Sequence, residues 1–412
     1  MEKYSFDTIL LHPNISNDSG ATVTPVYQTS AFEHESAESI ADLFSNKKPG
    51  YCYTRLTNPT VDAFEKRITL LEHGSSSIAT SSGMAAIYNS LVNVLQSGDG
   101  ILASPSLYGG TIDLFEDIKA FGIDVKYADD NRVSSFKKII DENTKVIFAE
   151  TIGNPKLDVT DIKALSEFAH TNGCLLFIDN TVATPLLCNP LTLGADIVIN
   201  STSKYINGSS TAIGGIITVS KNIKADFDRF PLLNPYSKFG VFAYTAKIRA
   251  TVHQHIGSAM APQTAFLNSI GIETLSLRTR SACSNALELA KYLSKLDGLT
   301  VNYPGLESSS YHNLAKQMFG DKFGAILTVR VGSKQKAFYF INHLKIPKIV
   351  SNIGDTKTLV IHPASTIALH STDSQKRAAG VYDDLIRISV GIEDINDLIS
   401  DFKSAYDEIN KE

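Results

Sequence analysis

Short apolar runs alternate with stretches of helical periodicity between residues 60 and 250. The runs predict strands, and most are followed by a predicted helix. They occupy residues 77–80, 101–103, 125–127, 146–149, 175–178 and 195–200. Strands that alternate with helices in this way favour a mainly parallel sheet covered on both faces. The chain is therefore predicted to have an α/β fold, with functional residues in the loops at one end of the sheet.

The segments on either side have different patterns. The first sixty residues are polar and irregular, and they predict an arm that lies on another surface. Thr60 is the predicted N-cap of a helix that stops at Gly74. Beyond residue 250, helices at 263–278 and 282–296 lead into strands at 325–331, 358–361 and 386–390. We expect three parts: the arm in residues 1–60, a large domain in residues 61–250 and a smaller α/β domain in residues 251–412.

The composition places the chain among globular proteins. Its 412 residues are 43% apolar and 20% charged, as in a protein with a full hydrophobic core. Apolar runs long enough for a membrane span are absent and the first residues are polar, so we expect a cytoplasmic protein without a membrane partner. A net charge of −5 without a basic stripe argues against a nucleic-acid partner.

The cysteine and histidine patterns predict neither disulfides nor a metal site. The four cysteines lack the spacing of a metal motif, and so large a core needs no disulfide framework. His253 and His255 alternate along the chain, but the sequence offers no convincing set of further ligands for a metal. We expect reduced, mostly structural cysteines and no bound metal.

A lysine and an acid close two successive predicted strands. Lys204 follows the run at 195–200, and Asp179 follows the run at 175–178. Both are expected in the crevice beyond the carboxyl ends of the strands, where α/β sheets bind ligands. Burial lowers the pKa of a lysine amine and makes it a better imine-forming nucleophile. Pyridoxal phosphate requires this pair, an amine for its aldehyde and a carboxylate for its ring nitrogen; a surface lysine after an edge strand is the alternative.

Three further loops carry candidate ligand-binding residues. A strand, small residues, Gly83 and then a helix form the arrangement that directs backbone N–H groups and a helix dipole at a phosphate. Tyr108 precedes two glycines, so its ring can lie flat against a planar ligand; it is equally typical of a core aromatic at a helix start. Asn154 can reach a hydroxyl of the same ligand, or it can simply form a turn.

Two other positions have open interpretations. Arg387 stands between Ile386 and Ile388 in a predicted strand, which indicates pairing with an anion. A substrate carboxylate suits its bidentate fork, and an internal ion pair is the alternative. Tyr53 and Arg55 lie in the arm, where the pattern alone is typical of surface residues beside a turn.

Four motifs taken together resemble the pyridoxal-phosphate enzymes of cysteine and methionine metabolism, which have the aspartate-aminotransferase fold type. The resemblance runs over nearly the whole chain, from Gly20 to Glu393. Its motifs are Tyr53-Thr54-Arg55 with Asn58-Pro59-Thr60, Ser82-Gly83-Met84, Ser201-Thr202-Ser203-Lys204-Tyr205 and His362-Pro363-Ala364-Ser365-Thr366. It implies fold type I of the PLP-dependent transferases, with a large, mainly parallel-sheet domain and a smaller C-terminal α/β domain.

The resemblance also implies a role for each candidate residue around pyridoxal 5'-phosphate. Lys204 is expected to hold the cofactor and move protons, Asp179 to keep the ring nitrogen protonated, and Tyr108 to stack on the ring. Asn154 is expected to contact the ring oxygen. The residues implied to hold the phosphate are Gly83, Met84, Ser201 and Ser203, with Tyr53 and Arg55 from a neighbouring subunit. Those implied to bind the amino-acid substrate are Arg387, Ser351 and Tyr53.

The same resemblance implies an oligomer whose active site lies at a subunit interface. The arm then makes sense as an element that contacts a neighbouring subunit. At least a homodimer is expected, and in this family usually a tetramer made of two dimers.

Within the family, several segments look most like those of O-acetylhomoserine sulfhydrylases. They are residues 211–215, 230–236, 243–249 and 268–278. The implied reaction is γ-replacement, in which sulfide or a thiol displaces acetate from O-acetylhomoserine to give homocysteine. Methionine γ-lyases commonly carry cysteine where this chain has Gly110. The chain departs from the sulfhydrylase pattern at Ser209 and at Ile367-Ala368, and its segment before Tyr244 is shorter, so the acyl donor and the sulfur donor stay open.

Two alternatives remain. The first is elimination of the methionine γ-lyase or homocysteine desulfhydrase type, or cystathionine γ-synthesis, on the same cofactor. The second belongs to another class, a catalytically silent relative retained as a scaffold. Intact Lys204, Asp179, Tyr108 and Arg387 argue against the silent relative.

Overall fold

Two β-sheets organise the computed structural model, which describes residues 4–13, 15, 20–45, 47–409 and 411. The larger sheet contains β1 (Ser76–Thr80), β2 (Gly100–Ala103), β3 (Asp124–Tyr127), β4 (Thr144–Glu150), β5 (Leu175–Asp179), β6 (Ile197–Ser201) and β7 (Gly215–Val219). The smaller sheet contains β8 (Thr300–Asn302), β9 (Ile326–Arg330), β10 (Lys348–Ile349), β11 (Leu359–Ile361) and β12 (Leu385–Ser389). The division of the chain at residues 60 and 250 stays a prediction.

The described residues also form α-helices along the whole chain. They are α1 (Phe6–Leu11), α2 (Ala37–Phe44), α3 (Pro59–Leu71), α4 (Gly83–Val92), α5 (Gly109–Ile118), α6 (Val133–Lys137), α7 (Ile162–Thr171), α8 (Thr184–Leu187), α9 (Ala243–Ile248), α10 (Gln254–Ile256), α11 (Pro262–Glu273), α12 (Leu275–Leu293), α13 (His312–Phe319), α14 (Lys334–His343), α15 (Asp373–Ala378) and α16 (Ile395–Ile409). Short 3-10 segments occupy Lys119–Phe121, Pro190–Leu193 and Pro363–Ser365, and a π-helical turn occupies Arg249–His253. The stretch Pro231–Phe242 is also 3-10 helical but is kinked at Gly240. In the part of the chain that the structure covers, every helix is too short or too polar to cross a membrane.

The larger sheet confirms the predicted mainly parallel α/β architecture. Its strand order is β1-β7-β6-β5-β4-β2-β3, and the five strands from β6 to β3 are parallel. β7 is the exception, because it runs antiparallel to both β1 and β6. Glu150 of β4 and Asp179 of β5 are register partners, so two carboxyl side chains meet at the carboxyl ends of adjacent strands.

The larger sheet is packed on both faces by buried apolar side chains. Ile147 and Leu176 belong to the cluster on one face, and Phe148 and Phe177 belong to the cluster on the other. Parallel strands that are covered on both sides read as continuous apolar runs rather than as alternating ones. This packing leaves the loops at the strand ends as the place for polar chemistry.

The smaller sheet brings Arg387 towards the larger one. Its order is β10-β11-β12-β9-β8, and all neighbouring pairs are antiparallel except β10 with β11. Arg387 occupies the middle of β12, opposite Thr328 of β9 and Ile361 of β11. Its side chain is buried and reaches Asn154, which lies in the loop after β4.

Several local predictions were wrong in detail. The arm is not wholly irregular, because it contains α1 and α2. The N-cap of α3 is Asn58 rather than Thr60: the Asn58 side chain accepts the Thr60 N–H at 2.9 Å, and Pro59, whose φ is already helical, begins the helix. The helix predicted at 263–278 is two helices, since α11 ends at Glu273 and α12 begins after Thr274.

Candidate active site

A cleft of about 390 Å³ lies at the carboxyl ends of the strands of the larger sheet. Its volume is in the range of roughly 300–1,000 Å³ that small-molecule sites occupy. It is lined by ten of the twelve predicted site residues: Gly83, Met84, Tyr108, Asn154, Asp179, Ser201, Ser203, Lys204, Ser351 and Arg387. The other two, Tyr53 and Arg55, do not line the cleft of their own chain.

Lys204 supplies the amine of the cleft. It follows β6 in a turn, and its Nζ lies 2.5 Å from Oδ1 of Asn352. Burial lowers the pKa of the Lys204 amine, and the nearby charge of Arg387 lowers it further. A lower pKa leaves a larger fraction of the amine neutral near pH 7, which is the form that attacks an aldehyde or accepts a proton.

Asp179 and Glu150 place two carboxyl groups side by side in the cleft. Burial, followed by the charge of Asp179, raises the pKa of Glu150 well above its usual value, and its Oε1 accepts the Tyr108 N–H at 2.6 Å. Burial also raises the pKa of Asp179, although hydrogen bonds from Thr181 oppose this shift. The pKa of both carboxyl groups is thus raised, and the rise is larger for Glu150. Among the described residues Asp179 has no lysine, arginine or histidine within 4.0 Å, so its carboxylate is available to a cationic ligand nitrogen.

The start of α4 forms a cradle suited to a phosphate. Ser82 caps the helix by accepting the Ala85 N–H at 3.1 Å, and the first turn of any helix carries N–H groups without intrahelical partners. A Cβ on Gly83 would lie 2.7 Å from Cβ of Ser201, so only glycine lets this helix start approach the end of β6 so closely. Ser203 is held in the same place because its Oγ accepts the Gly214 N–H at 2.9 Å.

Tyr108 presents its ring to the cleft from the N-terminus of α5. Its side chain is 41% exposed, which excludes the alternative of a core aromatic. A Cβ on Gly110 would lie 2.7 Å from Cε1 of this ring. A cysteine at position 110 therefore cannot enter without moving the Tyr108 ring.

Arg387 is a buried cation with open hydrogen-bonding capacity. Its Nη1 donates to Asn154 Oδ1 at 3.3 Å and its Nη2 donates to the Asn352 carbonyl at 3.0 Å, while Nε has no partner among the described residues. Burial lowers its pKa to about 10, which leaves it charged at neutral pH. Because its described neighbours include no carboxylate within 4.0 Å, the internal ion pair is not formed and an anion in the cleft can take that place.

Tyr53 and Arg55 lie together on the surface of the arm. Tyr53 is 43% exposed, and the Arg55 guanidinium lies 5.4 Å from the centre of its ring. Arg55 also donates to the carbonyl of Gln254. Their contact with the cleft of a neighbouring subunit stays a prediction.

Glu150 and Asn352 are among the cleft residues that the sequence reasoning missed. Glu150 closes the run at 146–149 just as Asp179 closes the next one, so the same signal was present. Asn352 follows Ser351 in a stretch without strong periodicity, and its contact with Lys204 spans 148 positions of the chain. No local sequence pattern predicts a contact over this distance along the chain.

The residues present fit pyridoxal phosphate. The cleft combines a lysine amine, an acid without a cationic neighbour, a glycine-dependent helix start and a guanidinium with an unpartnered N–H. Each matches one chemical feature of the cofactor or of an amino-acid substrate: the aldehyde, the ring nitrogen, the phosphate and the α-carboxylate.

The chain is similar to characterised proteins along almost its whole length. A sequence model of the Cys/Met metabolism PLP-dependent enzymes matches residues 7–407. Homocysteine synthase from Schizosaccharomyces pombe is 39% identical, and L-methionine gamma-lyase from Fusobacterium nucleatum subsp. polymorphum is 37% identical; each alignment covers 99% of both chains. A crystal structure of an O-acetylhomoserine (thiol)-lyase from Campylobacter jejuni, with N'-pyridoxyl-lysine-5'-monophosphate, has a TM-score of 0.91. It is 33% identical, and the match covers 98% of this chain and 100% of the other.

Proposed function

The chain belongs to the PLP-dependent enzymes of cysteine and methionine metabolism, and from that premise we propose that it replaces the acetoxy group of O-acetylhomoserine by sulfide. The products are homocysteine and acetate. One observation carries the proposal: the chain is similar over at least 98% of its length both to a homocysteine synthase and to an O-acetylhomoserine (thiol)-lyase. The cleft supports it, because it contains the groups that such chemistry requires.

The cofactor end of the cleft is built for an aldehyde on a charged ring. When bound, pyridoxal phosphate supplies the aldehyde that joins an amine and a ring that draws electrons from the substrate Cα. Lys204 would hold the aldehyde, Asp179 would hold the proton of the ring nitrogen and Tyr108 would cover the ring. The start of α4, Ser201 and Ser203 would hold the phosphate, and Asn154 would contact the ring oxygen.

The substrate end is organised by Arg387. Its guanidinium would bind the α-carboxylate together with Ser351, which also lines the cleft. Fixing the carboxylate turns the Cα–H bond towards Lys204. Binding of the carboxylate thus aligns the Cα–H bond that must break.

Lys204 moves the protons of the reaction. Once free of the cofactor, its neutral amine would take the proton from Cα and then move a proton at Cβ. The Cγ–O bond breaks and acetate leaves with the electron pair of that bond. Sulfide then forms the Cγ–S bond, and protons return to Cβ and Cα to complete homocysteine.

The proposal includes an oligomer in the cytoplasm. Tyr53 and Arg55 are exposed on the arm and outside the cleft of their own chain, as expected for residues that complete the phosphate site of a second copy. We expect a homodimer or a tetramer of two dimers. All four cysteines are free thiols, which agrees with a reducing compartment.

Product analysis tests the reaction directly. Purified protein supplied with O-acetylhomoserine and sulfide is expected to release acetate and homocysteine in equal amounts. Omitting sulfide is the control, and it should abolish homocysteine. Formation of 2-oxobutyrate and ammonia from methionine, with no sulfide-dependent product, would assign the protein to the lyases instead.

Elimination is the second candidate, because the 37% identity to L-methionine gamma-lyase spans 99% of both chains. Turnover of methionine, cystathionine, O-succinylhomoserine and O-acetylhomoserine side by side separates it from replacement. The close approach of Gly110 to the Tyr108 ring is relevant to the choice between replacement and elimination. Methionine γ-lyases commonly carry a cysteine there, so we expect O-acetylhomoserine to be the preferred substrate.

A further inference from the structure

A chain of hydrogen bonds leads from Lys204 to a buried carboxylate. Nζ of Lys204 lies 2.5 Å from Oδ1 of Asn352, whose Nδ2 donates to Oγ of Ser210 at 3.0 Å. Oγ of Ser210 donates in turn to Oδ2 of Asp355. We refer to Asn352, Ser210 and Asp355 as the Asn352 relay.

The carboxylate sets the direction of the Asn352 relay. Burial acts to raise the pKa of Asp355, but hydrogen bonds from Ser210 and Lys357 hold it below the usual value, so this carboxyl is an ionised acceptor. Ser210 must then donate its only O–H to Asp355, which leaves its oxygen lone pairs for the Asn352 N–H. The Asn352 amide can therefore present only its oxygen to Lys204.

Ser210 is held in the relay at a conformational cost. Its φ of 55° lies in the left-handed region, which is unfavourable for a residue with a Cβ. The hydrogen bonds to Asp355 and Asn352 compensate for this backbone. The relay is thus a fixed part of the cleft wall rather than a chance contact of a long side chain.

Asn352 connects two groups of the cleft through different atoms. Its side-chain oxygen meets the Lys204 amine, and its backbone carbonyl accepts Nη2 of Arg387 at 3.0 Å. A side-chain substitution therefore removes the contact to Lys204 while the backbone contact to Arg387 remains. The two functions of the residue can be separated by experiment.

We propose that Asn352 is a positioning residue that holds the free amine of Lys204 in line with the substrate Cα during proton transfer. The inference rests on the proposed function, in which Lys204 leaves the cofactor when the substrate amino group takes its place. A free lysine has four rotatable bonds, and one fixed acceptor oxygen restricts where its nitrogen lone pair points. Ser210 and Asp355 act one step further away, by keeping the amide oxygen turned towards the amine.

Glycine separates this role from substrate binding, because it has an α-proton but no γ-substituent. The assay uses the full-length enzyme with bound pyridoxal phosphate and records two quantities. The dissociation constant of glycine is obtained from the change in cofactor absorbance, and α-proton exchange in deuterated water is obtained by NMR.

Asn352→Leu is expected to keep its cofactor and to bind glycine within about threefold of wild type, since leucine is similar in size and the backbone carbonyl is retained. Its α-proton exchange is expected to fall by about 30- to 100-fold, as for a misplaced catalytic group. Ser210→Ala should slow exchange by about 3- to 10-fold, because Asn352 loses the hydrogen bond that it donates to the Ser210 hydroxyl. Ser209→Ala is the matched control with unchanged exchange, because its hydroxyl bonds Asn207 and Thr211 and not Asn352.

Wild-type exchange in Asn352→Leu would overturn the proposal. So would a variant in which glycine binding and exchange decline in the same proportion, because that pattern indicates general damage to the cleft. Failure of the proposed function has a different signature: the wild-type chain then exchanges glycine protons without making homocysteine, or never binds the cofactor.

Discussion

Arg387 is the residue on which we expect substrate binding to depend most. It lies in the middle of a strand, is 3% exposed and meets only neutral oxygens among its described hydrogen-bond partners. A buried guanidinium without an anion carries a desolvation cost that a bound carboxylate can offset. An α-amino acid brings such a carboxylate to the cleft.

Replacement of Arg387 by alanine should therefore weaken substrate binding more than cofactor binding. We expect a loss of roughly 2 to 5 kcal/mol in the binding of glycine or O-acetylhomoserine, as for truncation of one partner of a desolvated pair. Cofactor absorbance should be unchanged. Arg330→Ala is the matched control, because Arg330 lies on the neighbouring strand β9 and pairs with Asp384. Unchanged glycine affinity in Arg387→Ala would show that the carboxylate binds elsewhere.

At the scale of elements, we expect phosphate binding to depend on the junction of α4 with β6. A Cβ on Gly83 would lie 2.7 Å from Cβ and 2.9 Å from Oγ of Ser201. Atoms at such distances must move apart, and the first turn of α4 would move with them. The proposed anion site depends on that turn because its unpartnered N–H groups point out of the N-terminal end of the helix.

Gly83→Ala is accordingly expected to impair cofactor binding together with stability. Overpacking should cost roughly 1 to 3 kcal/mol, and the dissociation constant of pyridoxal phosphate, measured by absorbance titration, should rise. Gly100→Ala serves as the control, since a Cβ there meets its nearest neighbour, the Asn143 carbonyl, at an ordinary 3.5 Å. Equal cofactor affinity in both variants would contradict the assignment of the phosphate cradle.

A buried acid at the end of α3 forms hydrogen bonds with residues at the ends of β5 and β6. Glu72 is fully buried, and its Oε1 accepts Nδ2 of Asn200 at 2.7 Å and Nδ2 of Asn180 at 3.3 Å. These asparagines are adjacent in sequence to Ser201 and Asp179. Burial raises the pKa of Glu72 to about 7, although the hydrogen bonds from the asparagines oppose the shift.

The raised pKa predicts how stability depends on pH. The folded protein keeps the Glu72 proton up to about pH 7, whereas the unfolded chain releases it near pH 4.5. The contribution of Glu72 to the free energy of unfolding is therefore largest at low pH and is lost as the pH rises between these values. The loss amounts to about 3 kcal/mol. Glutamine is neutral at every pH. The free energy of unfolding of Glu72→Gln relative to wild type, measured with urea, should therefore rise between pH 5 and pH 8, and a constant difference would contradict the buried acid.

The apolar runs allowed the central strands to be placed within two residues of their observed ends. These strands can be predicted from sequence because both faces of the sheet are packed, which requires continuous apolar residues, as in Leu175–Asp179. β7 was missed although it is fully buried, because it directly follows a glycine-rich loop and no helix separates it from β6. The two residues of β10 and the three of β8 are too short to produce a pattern, and their pairing depends on tertiary neighbours.

At the scale of the whole molecule, the sequence predicted some residues of the site and missed others. Asp179 and Lys204 were predicted because strand ends converge in a parallel sheet. The strand-glycine-helix pattern predicted a phosphate cradle at Gly83, and the family motifs added Met84, Ser201 and Ser203. Asn352 was not predicted, because its side chain reaches Lys204 only when the two sheets pack together. A contact between residues so distant in sequence produces no periodic pattern from which it could be predicted.

The proposed oligomer makes a prediction about mixed subunits. If Arg55 acts in the cleft of a partner, Arg55→Ala and Lys204→Ala should complement each other, because each mixed dimer then contains one intact site. An equimolar mixture that exchanges subunits freely is expected to regain about one quarter of wild-type activity. Mixing Lys204→Ala with Arg387→Ala is the control and should restore nothing, since both residues line the cleft of one chain. Failure of the first mixture to regain activity would place Arg55 outside the partner's site.

Identification of the lysine that carries the cofactor tests the account most directly. The purified enzyme is reduced with borohydride, digested and analysed by mass spectrometry, with Lys204→Ala treated in parallel. We expect the phosphopyridoxyl group on the peptide containing Lys204 and on no other peptide, and we expect the variant to be folded but unlabelled. A label on a different lysine, or a wild-type protein that takes up no label, would contradict the assignment of the cleft.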